Sequence, residues 1–359
     1  WKVVTPAAAG AQVTVNGRTV ENRFYRLTLD DAGRIAELWD KRAARSVFKP
    51  GEKGNELQIF EDYPRAYDAW EISSYHEQKS WVLDDAAELT AVSDGSRAGI
   101  RISRKYLNST IVQTVWLYGA NERIDIDTEL DWHDEHQLLK AVFPLDVHTS
   151  RATYEIQFGH VERPTHRNTS WDAAKFEVCA HKWADLSEDG YGVSLLNDCK
   201  YGHDVHDGLM MLSLLRSPTD PNPVADQGEM LCTYSLLPHA GSLAQSDTVK
   251  QAYLLNQPMT AVKASGERNL IPTEYSAINV DNECLVCDTV KEEEHGEGTI
   301  VRLYECKNTR GKATLTTALK AEKAYLCDLM ENELQEIEIK DGKIELDFKG
   351  FEIITVKLI

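Results

Sequence analysis

Between Asp62 and Glu71 the chain reads D-Y-P-R-A-Y-D-A-W-E, which gathers Asp68 and Trp70 with Tyr63 and Tyr67. An aromatic ring offers a flat apolar face, and a carboxylate accepts hydrogen bonds from hydroxyl groups. Together they suit a sugar. They equally suit a surface loop whose tryptophan plugs the edge of a core. A second polar group follows the apolar run Val193 to Leu196, where Asn197, Asp198, Lys200 and Tyr201 lead to Gly202. A carboxylate, an ammonium and a phenol at a strand end could hold a polyol, or could cap the strand's last backbone groups. His203-Asp204-x-His206-Asp207 has the residue types of a metal site. On a strand, however, residues three apart point to opposite faces, and no ordered third ligand accompanies the pair. Asp125, Asp127, Glu129 and Asp131 alternate along one strand pattern. They resemble paired catalytic carboxylates less than a solvated strand face that also blocks edge pairing.

The elements that must position these groups are strands. Val13 and Val15 precede Asn16-Gly17, a two-residue hairpin signal, and Phe24 to Leu29 alternates before Asp30-Asp31-Ala32-Gly33. Residues 49–70 are less regular. Ile111, Gln113, Val115 and Leu117 share one face of a strand, Gly119 to Glu122 turns the chain, and Ile124 to Trp132 has the cleanest period of two. Leu139 to Val147, Tyr154 to Phe158, Met210 to Leu215 and Leu231 to Leu237 continue the pattern, with a proline-rich loop from Pro218 to Pro223. Trp171 and Trp183 could pack across sheets or line a cleft. Ser246 to Asn256 is the best helix, with Val249, Ala252 and Tyr253 on one face. A crossing segment over 259–277 leads to a smaller all-β unit. In it, Ile337 to Ile339 and Ile344 to Phe348 are expected to form a hairpin about Asp341-Gly342.

The chain has 359 residues and a net charge of −19, which disfavours nucleic acid and anionic membrane as partners. No apolar run approaches ~20 residues, so no membrane span is expected. Trp1-Lys2-Val3-Val4-Thr5-Pro6 lacks a signal-peptide layout and reads as the start of a fragment. Seven scattered cysteines, an odd number, do not look like a disulfide framework. Cys284-x-x-Cys287 has no second pair to complete a zinc site, so cysteines in a reducing cytoplasm are the simpler reading.

Several separated motifs carry a family resemblance. G-V-S-L-L-N-D-C-K-Y-G (192–202), Leu215-Arg216-Ser217-Pro218 and Tyr234 to His239 resemble the C-terminal β-region of glycoside hydrolase family 38, the α-mannosidases. Glu21 to Tyr25 with Gly33-Arg34-Ile35 and Asp40-Lys41 resembles that region's opening. Asp62-Tyr63-Pro64 with Asp68-Ala69-Trp70 resembles its next segment, and Arg302-Leu303-Tyr304-Glu305 with Phe351-Glu352-Ile353 resembles its end. The resemblance runs from about residue 20 to the last residue.

It implies an all-β fold: a large antiparallel supersandwich of the galactose-mutarotase-like kind over 1–262, then a small β-sandwich over 263–359. It also implies a retaining α-mannosidase as the parent enzyme, with its zinc ion and nucleophilic aspartate in an N-terminal α/β domain that nothing here resembles. This chain then has no cofactor of its own and lacks hydrolytic activity alone. It packs on the catalytic domain of the same polypeptide and forms one wall around an α-mannoside, with a homo-oligomer interface also open to it. Carried over by motif, Arg302 in R-L-Y-E is the first candidate for sugar contact, with Glu305 in the same motif. Asp68, Trp70 and Asp198 follow. The alternative for Arg302 is an ion pair with Glu305 or another acid. Three rival readings stay open: a free-standing sugar-binding module, a mutarotase or epimerase using His160, His166 or His181, and a scaffold that touches no sugar.

Overall fold

The computed structural model describes residues 13–260, 262 and 275–359. Residues 1–12 and most of the 259–277 crossing segment lie outside the described residues, including 261 and 263–274 about the expected 262/263 boundary. The chain forms two compact units. The larger takes in the described residues up to Met259 apart from 156–160; the smaller takes 156–160 and the described residues from Thr260 onward.

Three antiparallel sheets build the larger unit. A five-stranded meander runs from Thr14–Asn16 to Arg45–Ser46. A nine-stranded sheet centres on Tyr191–Asn197, Gly228–Ala240, Ile124–Trp132 and Ser109–Tyr118, in that order. A six-stranded sheet has the order Val178–Cys179, Gly202–His206, Leu209–Leu215, Gln137–Pro144, Glu56–Glu61, Ser80–Val82. One core joins all three: Leu27 and Leu38 from the meander, Ile111, Val115 and Ile126 from the large sheet, Ile59, Leu139 and Phe143 from the six-stranded one. Gln113 enters this core with its amide satisfied by Thr128, Tyr234 and Asn55, each of which also bonds within that group or to its own strand. That is the condition for a buried polar group to be tolerated.

The Tyr191–Asn197 strand is buried along its whole length. Val193 and Leu195 join the core. On the other face Ser194 bonds Asp185 at 2.7 Å and Thr248 at 2.7 Å, which ties the helix Thr248–Asn256 to the sheet. Gly192 is required here, because a Cβ would lie 2.4 Å from both the His239 ring and Ser187 Oγ.

Three expectations change. The first hairpin turns on Gly17-Arg18, since Asn16 already pairs with Thr19. The Ile124–Trp132 strand lies between two partners and is no edge, and its acidic face is solvated only toward one end. Asp125 is buried, held by Arg123 (3.0 Å), Tyr118 (2.5 Å) and Ser235 (2.5 Å). Asp127 takes Trp116 Nε1–H at 2.8 Å and Thr233 Oγ1–H at 3.0 Å. Only Glu129 and Asp131 are exposed.

The third change is in the smaller unit. Asp341 and Gly342 take the positive φ values (52° and 72°) of a tight turn. Yet the flanking strands do not pair beyond Lys340–Lys343. Glu333–Ile337 pairs with Ala324–Cys327 in a five-stranded sheet, and Lys343–Phe348 pairs with Gly311–Thr317 in a three-stranded one. The turn therefore carries the chain from one layer of a sandwich to the other. Burial explains this: Ile344, Leu346 and Phe348 must all enter the core, whereas Glu333 to Glu336 are exposed along their length.

Candidate functional site: the outer face of the six-stranded sheet

The strands of the six-stranded sheet have a second, outward face. Along Gln137–Pro144 it carries Lys140, whose side chain is 0% exposed. Lysine buries only with its charge answered. Its Nζ donates to Glu177 Oε2 at 2.5 Å, lies 3.6 Å from Asp204 Oδ2 and sits over the Phe60 ring at 5.2 Å. Ser213 also donates to Glu177. Gly202 makes room for this pair, because a Cβ there would meet Glu177 Oε1 at 2.7 Å and Ser213 Cβ at 2.9 Å. Asp204 accepts from His206 Nδ1 at 2.8 Å and from Arg167 at 3.3 Å, and Arg167 reaches Glu77 at 2.8 Å. Burial alone would raise the Asp204 pKa. The His206 hydrogen bond and the Lys140 charge outweigh it and hold the carboxyl below its ordinary value.

Two segments are clamped over this face by those charges. The first, residues 62–79, ends in a short 3₁₀ turn, Ser74–Gln78. His76 from that turn packs between Phe60 and Phe176, with its Nδ1 3.0 Å from the Ser73 carbonyl. Burial and the Lys140 charge lower its pKa. The second segment, residues 165–177, carries Arg167, Trp171 and Glu177.

Asp68 and Trp70 sit on the first segment. Arg216 pins it: Nε and Nη2 bind Asp62, Nη2 also binds the carbonyls of Asp68 (3.1 Å) and Glu71 (2.5 Å), and Nη1 binds that of Ala69 (3.2 Å). The Asp68 carboxylate accepts from Thr219 N (2.7 Å) and Asp220 N (3.2 Å) and lies 3.6 Å from His136. Tyr63 stacks on His136 at 4.2 Å. So Asp68 is engaged by the backbone, while Trp70 is 69% exposed, and Tyr63 and Tyr67 are exposed beside it in sequence. Trp171 on the other segment is 80% exposed, whereas Trp183 is buried. Arg216→Ala leaves at least three carbonyls and a buried carboxylate without their donor. Amide exchange across residues 62–71 should accelerate by about tenfold or more, and Arg216→Lys should not restore it, because one ammonium lacks the guanidinium's fork. Hydrogen–deuterium exchange read by mass spectrometry checks this.

The other expected residues lie elsewhere. Asp198 is exposed at the end of Tyr191–Asn197, where its carboxylate accepts from Thr233 N at 3.1 Å. Arg302 and Glu305 belong to the smaller unit. They do not pair: Arg302 Nε donates to Thr355 Oγ1 at 3.3 Å, and no carboxylate among the described residues lies within ion-pair distance. Glu305 is 0% exposed and accepts from Lys307 N, Thr309 N, Thr309 Oγ1 and Phe351 N. Lys140, Glu177, Arg167 and Arg216 were missed. The signal for Lys140 was its isolation in L-L-K-A-V-F-P, because a lone lysine inside an apolar strand must find a buried partner.

This face is a charged support that holds two loop segments against the sheet. Asp204 is buried and Glu177 is 12% exposed, and each carboxylate is paired with a cation. Among the described residues no three His, Cys, Asp or Glu side chains converge as a metal site requires.

These features define an all-β chain: a large antiparallel supersandwich with one charged, loop-covered face, followed by a small β-sandwich. Residues 20–224 match the model of the glycosyl hydrolases family 38 C-terminal domain, and residues 285–356 match that family's C-terminal beta sandwich domain. The chain belongs to glycosyl hydrolase family 38, as part of its C-terminal region. It is 38% identical over 359 residues to alpha-mannosidase 2C1 of Homo sapiens, covering 97% of this chain and 34% of that protein. It is 32% identical over 334 residues to an alpha-mannosidase of Saccharomyces cerevisiae, covering 85% of this chain and 31% of that one. The chain thus spans about a third of the length of these curated relatives. An alpha-mannosidase from Enterococcus faecalis of known crystal structure shares the fold, with a TM-score of 0.79 at 16% identity over 97% of this chain and 43% of that one.

Proposed function

We propose that this chain is the non-catalytic β-region of an α-mannosidase that hydrolyses α-mannosides with retention. It packs on the catalytic domain of the same polypeptide and supplies one wall of the sugar site. The nucleophile and the zinc ion belong to that other domain. One observation carries the reading: on the outer face of the six-stranded sheet, Trp70 and its neighbouring tyrosines are exposed on a loop held by Arg216 and Asp68. A rigid loop that presents bare rings is built to be covered, by sugar or by protein. All seven cysteines are free, in keeping with a cytoplasmic protein. No helix among the described residues is long and apolar enough to cross a membrane.

The test is hydrolysis of an aryl α-mannoside, with zinc present. This chain alone should show no turnover. Turnover above background would place the nucleophile inside these 359 residues and overturn the proposal. In the full-length protein, Trp70→Ala should lower kcat/KM by roughly tenfold, the scale of losing one buried aromatic anchor. Unchanged kinetics would remove Trp70 from the wall.

A further inference from the structure

In the smaller unit two layers of unequal width face each other. Five strands lie on one side, in the order Leu285–Glu292, Thr299–Glu305, Ile353–Leu358, Ala324–Cys327, Glu333–Ile337. Among the described residues, three lie on the other: Ile278–Val280, Gly311–Thr317, Lys343–Phe348. Strands repeat about every 4.8 Å, so the narrow layer falls short by about two strand widths. The shortfall opens as a groove of about 420 Å³ beside Lys343–Phe348. Its lining includes Leu326, Ile337, Leu346 and Ile354, with Leu334, 68% exposed, also in the wall. Leu329 and Met330, just before the last strand of the wide layer, are exposed as well. Among the described residues, Lys343–Phe348 is paired along its length on one side only, by Gly311–Thr317. Among the described residues its other edge is met only at Lys343, which exchanges backbone hydrogen bonds with Lys340.

The groove is acidic. Glu345, Asp347 and Glu352 line it. From Glu331 to Asp347 there are seven carboxylates against two lysines. Among the described residues, Asp347 meets only Lys312, in a fully solvated pair at 3.2 Å, and Glu345 has no ion pair. Charges on a strand edge commonly serve to prevent aggregation. A guard of that kind needs no apolar trough, and this edge has one.

We propose that the groove takes an extended, basic segment of a partner polypeptide, which adds as a fourth strand beside Lys343–Phe348. Backbone pairing along that edge, past Lys343, accommodates about five residues. Alternate side chains must be aliphatic, to fill the floor, and the intervening ones lysine or arginine, to meet the carboxylates.

The probe is a fluorescein-labelled heptapeptide of alternating lysine and valine, titrated into the whole chain and followed by fluorescence anisotropy. Saturable one-to-one binding is expected. A glutamate–valine peptide, and a lysine–valine peptide with a central proline, should not bind. Glu345→Lys with Asp347→Lys, and separately Leu334→Asp, should each weaken binding by about tenfold or more, with unchanged melting temperatures because all three side chains are exposed. Equal binding of the proline peptide would reduce the effect to attraction between a polycation and a chain of charge −19, and would overturn the proposal. Binding untouched by the substitutions would do the same. So would concentration-dependent self-association that Leu334→Asp abolishes and the peptide fails to displace, since the occupant would then be a second copy of this chain.

Discussion

Lys140→Met is expected to lower the unfolding free energy by about 3–5 kcal/mol, the largest loss for any single side chain of the charged face. The methionine fills nearly the same volume, so packing against Phe60 survives and the loss is electrostatic. Glu177 keeps Ser213 but loses its cation at 2.5 Å. Asp204 keeps His206 and Arg167. A largely buried carboxylate stripped of its counter-charge costs far more than the pair contributed, because most of its hydration is already lost. Urea unfolding monitored by tryptophan fluorescence measures this, with the buried Trp132 and Trp183 as reporters. Adding Glu177→Gln to Lys140→Met should recover part of the loss, since the stranded charge goes with it. A loss below about 1 kcal/mol would mean that the face is solvated and the lysine free to swing out.

The same cluster sets an acid dependence. The folded Asp204 pKa lies below its unfolded value, so ionised Asp204 stabilises the fold fully above the ordinary aspartate range. That contribution disappears as pH falls through the depressed folded value. In Lys140→Met one of the groups holding the pKa down is gone, so the folded value moves toward the unfolded one and less stability is lost to acid through Asp204 than in the parent chain. Melting temperature recorded from neutral pH downward should therefore fall less steeply in the variant across the acid range.

How much of this could be read from residues alone depends on whether the deciding interaction is local. Period-two alternation marked the paired strands Ser109–Tyr118 and Ile124–Trp132, because burial of one face is written into neighbouring residues. The Ser246 to Asn256 reading matched the helix Thr248–Asn256, whose start Ser246 caps through Thr248 N at 3.2 Å. What failed was non-local. Asp125 looks like any acid of a solvated face until Arg123, Tyr118 and Ser235 surround it, and Ser235 lies 110 residues away. Asp341-Gly342 carried a hairpin turn's chemistry, but the sheet each flank joins is decided by partners elsewhere in the chain. The site divided in the same way. Motifs pointed to Asp68 and Trp70, yet the residue that fixes their loop is Arg216, 148 residues from Asp68. Three of its four acceptor groups there are main-chain carbonyls, and a carbonyl has no signature in sequence.

Glu305→Ala should cost about 3 kcal/mol in the smaller unit, a structural effect for a residue whose motif suggests sugar contact. The carboxylate is wholly inside the protein and divides its two oxygens. Oε1 takes Lys307 N (2.8 Å), Thr309 N (3.0 Å) and the Thr309 hydroxyl (3.1 Å); Oε2 takes Phe351 N (2.8 Å). It therefore staples the turn after its own strand, where Asn308 has φ 57°, to the turn before Ile353–Leu358. Alanine strands three amides at once, each worth about 1 kcal/mol or more when left unpaired. Glutamine separates charge from acceptor count. Its carbonyl can still serve the 307–309 turn, but its NH2 would face the Phe351 N–H, donor against donor, so about half the loss should remain. Amide exchange resolves the two cases: alanine should deprotect residues 307, 309 and 351 together, glutamine residue 351 alone. A Glu305→Ala chain that keeps its stability and its exchange pattern would show that the carboxylate is not a staple and return it to the candidates for ligand contact.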